Sequence, residues 1–188
     1  NKSYEFTIEQ GLHTIRPGTN KPFLNRYIYK PVFVELTDKE TQKYNKLTQQ
    51  IIVMRRNEDH DPDELQKLYE RRANIGKNAE NKKIALEEII AELNPVKMQD
   101  TILFVSPQQI DYVMKRTGEL GIKRAEVTEK ESTSKKVNDA GDSERQDIIN
   151  LFRARRLQML VGIKCMDEGI DIKNARIAVL MSNSTNPR

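Results

Sequence analysis

Apolar residues are distributed along this chain in two regimes. Between residues 37 and 94 they recur every three or four positions among charged ones: Tyr44, Leu47, Ile51 and Met54 first, then Leu65, Leu68, Tyr69, Ala73, Ile75, Ala79, Leu86, Ile89, Ile90 and Leu93. That is the spacing of a helix with one buried face. Thr37-Asp38-Lys39-Glu40 reads as a capping box, in which the Thr hydroxyl and the Glu carboxylate satisfy free amides at a helix start. Asn57 to His60 reads as a turn, and Asp61-Pro62-Asp63-Glu64 restarts a helix with an N-cap, a proline in the first turn and acidic neighbours. Asn94-Pro95 ends it, and Gly76 and Asn78 are the places where it would bend or break. Residues 37–94 therefore predict a helical hairpin.

From residue 100 the apolar positions cluster instead into short runs. Thr101 to Val105 is the continuous stretch expected of a strand buried on both faces. Ser106-Pro107-Gln108-Gln109 reads as a second capping box, opening a helix to about Leu120, where Gly121 stops it. Lys123 to Thr128 predicts a weaker strand, 129–142 a polar loop, and Ser143 to Phe152 a helix. Gln158 to Val161 and Ala175 to Met181 predict two more strands around the loop 162–174. Strand, helix, strand, helix, strand, loop, strand is the order of a parallel α/β sheet, whose ligand-facing loops lie at the carboxyl ends of the strands. Those loops begin at Ser106, Thr128, Gly162 and Ser182. Residues 1–30 mix aromatic residues with turn signals and predict little regular structure, while Pro31 to Leu36 is a short β-like run. The expected division is a connecting segment over 1–36, a helical arm over 37–97 and an α/β domain over 98–188.

Composition narrows the chemistry. Of the 188 residues 32% are charged and 37% hydrophobic, a balance suited to a modest core carrying long solvated helices. No stretch approaches a membrane span and no signal peptide opens the chain, so no membrane partner is expected. One Cys and two His exclude a disulfide framework and a zinc cluster, and point to a reducing, cytoplasmic setting. The net charge of +4 permits nucleic acid without requiring it. Residues 38–97 hold twelve basic and twelve acidic side chains, the signature of a solvated helical surface. Within it Arg55, Arg56, Lys67, Arg71 and Arg72 are the best candidates for contacts to a partner. The chain opens at Asn1 rather than Met, as expected of an excised piece.

The segment richest in chemistry is Leu160 to Ile172, in which a buried strand runs into a loop carrying Asp167, Glu168, Gly169 and Asp171. Glycine there permits a positive φ or a close backbone approach. A carboxylate at 171, between Ile170 and Ile172, could accept hydrogen bonds from ribose hydroxyls or a partner arginine. Packing alone accounts equally well for Asp167 and Glu168 as loop surface and Asp171 as a turn cap. Cys165 has no base near it in sequence and reads as a loop or core residue.

On these residues the chain resembles the motor proteins of helicase superfamily 2. Their second RecA-like domain carries a strand followed by a D-E-G-I-D loop, motif V, which Asp167 to Asp171 match. The domain opens with a strand like Thr101 to Ser106, motif IV, and continues through a polar loop to an R-x-x-I-x-x-F helix, here Arg145, Ile148 or Ile149, and Phe152. Tyr29-Lys30-Pro31 through Glu40 and Tyr44 resembles the stretch joining two motor domains, closest to the branch of excision-repair translocases and restriction-enzyme motor subunits. The resemblance implies an α/β, RecA-like parallel sheet flanked by helices and preceded by a helical hairpin arm. It also implies ATP and Mg2+ bound mostly through a missing first RecA-like domain, and nucleic acid, expected to be DNA, lying across both. Glu168, Gly169 and Asp171 would then lie at the nucleotide cleft. Ser106 and Gln108 would face a nucleic-acid phosphate, as would Lys164 as a point charge and Thr128 at the end of the next strand.

The departures are as informative. Many relatives have Thr where Ile163 stands and Asp where Lys164 stands, so any contact at 163 would be through backbone. The chain contains no G-x-x-x-x-G-K-[ST] phosphate loop and no magnesium-binding acidic motif in its first part. It stops at Arg188, where relatives continue into Q-R-x-G-R, the source of the arginine finger. Phosphoryl transfer needs those parts, so this piece holds no catalytic residue or metal site of its own and alone should not hydrolyse ATP. The alternative reading is a non-catalytic RecA-like module that binds a protein partner.

Overall fold

A computed structural model describes residues 7–57, 59–127, 144–162, 172 and 174–182. The chain divides into two compact units, Asn1–Phe33 and Val34–Arg188. In the first, Thr7 and Gln10 form a reciprocal capping box that starts a short helix, α1 (Ile8–His13). Behind it the chain reverses at Arg16–Thr19, Ile15 bridges Pro22, and the Arg16 guanidinium lies over the Phe23 ring while donating to the Phe23 carbonyl. This short helix is the one helix among the described residues of a segment expected to hold little regular structure; Thr7-x-x-Gln10 is itself a helix-start signal. The β-like run at 31–36 forms no strand. Pro31 lacks an amide to pair, and Val32 and Phe33 are exposed.

In the second unit three helices precede the sheet: α2 (Asp38–Arg56), α3 (Pro62–Lys77) and α4 (Lys82–Leu93). The Thr37–Glu40 box caps α2, and Asp61 caps α3 with its side chain on the Asp63 amide, proline following at once. The second helical stretch thus breaks, but not at Gly76, which stays helical in open space. The break falls at Asn78 to Asn81. Helices α2 and α3 form the antiparallel hairpin. Helix α4 does something else: its Leu86 and Ile90 lie in the core under the sheet.

The sheet has four parallel strands, β1 (Thr101–Phe104), β2 (Arg124–Val127), β3 (Met159–Gly162) and β4 (Ile177–Leu180), in the order β2-β3-β1-β4. Helices α5 (Ile110–Glu119) and α6 (Glu144–Arg153) make the first two crossovers. Alternation along the strands sends Leu103, Val105, Met159 and Val161 to one face, with Ile110 and Val113 of α5 and the α4 residues. The opposite side chains, Ile102 and Leu160, pack with Val127 and with Phe152 of α6. The strands are apolar on both faces because helices cover both.

Several polar residues lock this arrangement. Helix α5 ends at Gly121, φ 72°, where the amides of Gly121 and Ile122 reach the carbonyls of Gly118 and Thr117 and Ile122 is buried. Gly118 leaves room for the Arg124 guanidinium, which donates to the Met114 carbonyl. At the amino edge of the sheet buried Gln158 accepts from the Lys123 amide at 2.9 Å and donates to the carbonyls of Pro95 and Met98 at 2.8 and 2.9 Å. Asp100, φ 55°, has a buried carboxylate that holds Arg155 at 2.9 Å and Arg176 at 3.4 Å.

Candidate functional site

All four strands point the same way, so their carboxyl ends share one edge of the sheet. There the chain leaves β1 into Ser106–Gln109, β3 at Gly162, β2 at Val127 and β4 into Met181-Ser182. Of the expected site residues, Glu168, Gly169, Asp171, Thr128 and Lys164 lie outside the described residues. Ile172, directly after Asp171, packs against the second core cluster.

Ser106 and Gln108 are described, and they differ. Gln108 is exposed, while Ser106 is 1% exposed. The expected capping box forms in half: the Gln109 side chain accepts from the Ser106 amide at 3.0 Å, but the Ser106 hydroxyl donates to Asn78 Oδ1 at 2.5 Å instead of capping α5. The Gln109 amide turns back to the Ser106 carbonyl. Among the described residues no hydrogen bond takes up the amides of Gln108, Ile110 and Asp111. The start of α5 therefore offers free N–H groups at the positive end of the helix dipole.

Around that turn stands a polar cluster that the sequence did not single out. Lys82 Nζ donates to the Met181 carbonyl at 2.7 Å and to the Lys77 carbonyl at 3.0 Å. Gln109 Nε2 also reaches the Lys77 carbonyl, at 3.2 Å. Burial, and after it the charge of Lys77, pushes the Lys82 ammonium below its ordinary pKa. Nothing in the local sequence distinguishes Lys82 from Lys83, whose ammonium sits on Glu80 and over the Tyr112 ring. Farther out, the Arg116 guanidinium and then the Tyr112 hydroxyl hold the Glu87 carboxyl below its usual range, tying α5 to α4.

On the hairpin, Arg55, Arg56, Lys67 and Arg71 are exposed. Arg72 is not free for a partner. It packs over the rings of Tyr44 and Tyr69, 5.4 and 5.6 Å from their centres, and reaches the Thr48 hydroxyl. It holds α2 to α3. Among the described residues no group of three or more His, Cys, Asp or Glu side chains comes together that could hold a metal ion, and no helix is long and apolar enough to cross a membrane.

The fold class is α/β, a parallel sheet flanked by helices, with its loops for chemistry gathered at one edge. Residues 81–188, more than half of the chain, match the helicase conserved C-terminal domain family, and the chain belongs to it. The match begins beside α4, the helix that the core also assigns to the sheet. No curated protein matches the chain. Among solved structures it is similar to the Pyrococcus furiosus Hef helicase domain, at 17% identity and a TM-score of 0.42, over 76% of this chain and 28% of that one. The chain thus spans little more than a quarter of that structure's length.

Proposed function

We propose that this chain is the second motor domain of an ATP-dependent DNA helicase or translocase of superfamily 2. In this reading ATP and Mg2+ bind mainly through a first RecA-like domain of the parent protein. Glu168, Gly169 and Asp171 face that nucleotide from this side, with Asp171 on its ribose or γ-phosphate side. The resemblance to excision-repair and restriction-enzyme motors belongs to the same proposal, as does the division into connector, arm and motor domain.

The observation that carries the reading is the start of α5 at the carboxyl edge of the sheet, in a chain of the helicase C-terminal family. A phosphate placed there meets amides that no group among the described residues uses, with Gln108 exposed beside them. Because the Ser106 hydroxyl is spent on Asn78, the phosphate contact at this turn is made by backbone, and Ser106 shapes the turn. Lys164 and Thr128 complete the track in the proposal. ATP closes the two domains and hydrolysis opens them, moving this edge along a strand.

The test is made on the natural protein. Asp171→Ala is expected to abolish DNA-stimulated ATP hydrolysis while leaving the fold intact. Lys164→Ala is expected to weaken binding of a labelled oligonucleotide evenly across sequences and to reduce its salt slope by about one. A natural protein without DNA-stimulated ATPase would leave a protein-binding module and remove the motor reading; full ATPase in the first variant with an unchanged slope in the second would remove the roles given to Asp171 and Lys164.

A further inference from the structure

The hairpin and the sheet are joined in an unusual way. No residue of α2 or α3 belongs to either core cluster, whereas α4 is fixed in the core by Leu86 and Ile90. Between them lie only the non-helical residues Asn78 to Asn81, which without further support would act as a hinge. Yet polar groups converge on that turn from three directions. From the sheet, the Ser106 hydroxyl reaches Asn78, the Gln109 amide group reaches the Lys77 carbonyl, and Lys82 spans the Lys77 and Met181 carbonyls. From the start of α2, Glu40 accepts from the Glu80 amide at 3.0 Å while still serving its own capping box. From the incoming chain, the Glu35 carbonyl accepts from Asn81 at 2.9 Å.

We infer that the Lys77–Lys82 turn is a locked joint that seats the hairpin on the carboxyl edge of the sheet, with Asn78 and Lys82 as its positioning residues. Lys82 fixes the end of β4 to the end of α3, and Asn78 fixes the turn after β1 to the same point. The hairpin then moves as one body with this domain. A displacement of the Ser106 turn is carried to the hairpin tip, some 16 residues of α3 away. Asn78 also orients the turn that presents the free α5 amides, so it positions a nucleic-acid contact without making one. That functional sense rests on the motor reading; the joint itself does not.

The experiment measures the distance between two spin labels, one at Gln50→Cys on α2 and one at Lys115→Cys on α5, in the full chain with Cys165→Ser. Both labelled positions are exposed. The parent is expected to show a single narrow distance distribution. Lys82→Met and Asn78→Ala are expected to lose the narrow peak while circular dichroism stays that of the parent, and Lys82→Arg to retain it. A narrow peak in all variants, or a broad one in the parent, overturns the joint. Where Lys82→Met disrupts folding, Asn78→Ala and Ser106→Ala decide: Ser106→Ala removes one hydrogen bond, and Asn78→Ala removes that bond and the one from Asn78 to the Asn74 carbonyl. Binding of a single-stranded oligonucleotide to the same samples is scored separately. A chain that binds none counts against the motor reading, while its peak widths still decide the joint.

Discussion

Gln158 offers the sharpest test of how the sheet is held together. Its side-chain amide is buried and satisfies three backbone groups, the Lys123 amide and the carbonyls of Pro95 and Met98. It thereby pins β3 to the chain entering β2 and to the chain entering β1. Gln158→Leu fills a similar volume but leaves all three groups without a partner. At about 1–3 kcal/mol per unsatisfied buried group, lowered because the loops can take up some water, the loss is about 3–5 kcal/mol. Gln158→Glu keeps the acceptor for Lys123 and turns a second oxygen toward two carbonyls at 2.8 and 2.9 Å. At neutral pH it places a buried charge against two dipoles of the wrong sign, and it is expected to be worse than Gln158→Leu by about 1 kcal/mol or more. The order reverses on acidification, because the protonated carboxyl regains one donor. The assay is urea unfolding of the three proteins at neutral and acid pH. A domain of this size loses about 2–4 °C of Tm per kcal/mol, so the thermal shift should also exceed several degrees. Variants within 1 kcal/mol of the parent, or Gln158→Glu matching Gln158→Leu at neutral pH, would refute the reasoning.

Three further predictions follow from the same structure. Asp100 combines a buried ion pair with a left-handed backbone, but Arg155 and Arg176 are 55% and 74% exposed and can rehydrate, so the loss of the pair is worth about 1–2 kcal/mol. Asp100→Asn should cost about that in urea unfolding, and Asp100→Ala about 1–2 kcal/mol more because alanine tolerates φ 55° poorly; equal losses would refute the backbone argument. Phe152, the fully buried side chain by which α6 packs on the sheet, should cost about 3–5 kcal/mol as Phe152→Ala, with hydrogen exchange of α6 amides accelerating before that of β1. For Glu40, burial raises the carboxyl pKa, but the amides of Thr37 and Glu80 and the Thr37 hydroxyl outweigh it and hold the pKa below its ordinary 4.5. A depressed carboxyl contributes stability that is complete above that value and is lost as the pH falls through the folded one. The difference between the parent and Glu40→Gln in urea midpoint should therefore shrink below pH 4.5; a constant difference would refute it.

Much of the fold was legible because it rests on local signals. The four strands were visible as short apolar runs, and α5 and α6 as periodic segments with stop signals. The Thr37–Glu40 box and the Gly121 stop were readable because capping chemistry acts within three or four residues. The grouping of α4 was not. Its apolar residues have the same period as those of α3, and period reports which face is buried but not against what. The break between α3 and α4 is framed by asparagines 78 and 81, whose side chains engage partners 28 and 46 residues away in sequence. The Pro31 to Leu36 run failed for the converse reason: β-propensity is present, but a strand needs a neighbour to pair with, and the segment has none among the described residues.

The site divides along the same line. Asp167 to Asp171 stand out in the sequence because three carboxylates and a glycine after a buried strand are locally odd, and they lie outside the described residues. Ser106 was singled out for its place at a helix start, where a hydroxyl ordinarily caps the first amides. The geometry assigns that hydroxyl to Asn78 and leaves the amides of Gln108, Ile110 and Asp111 without a partner among the described residues. A capping hydroxyl would take up one of these amides, so the diversion of the serine side chain leaves one more of them open at the turn. That diversion depends on Asn78, a residue that belongs by sequence to the end of the arm. The hairpin and the turn before α5 are therefore chemically one assembly, and in the motor proposed above substitutions at residues 77–82 should alter nucleic-acid contacts that none of them makes.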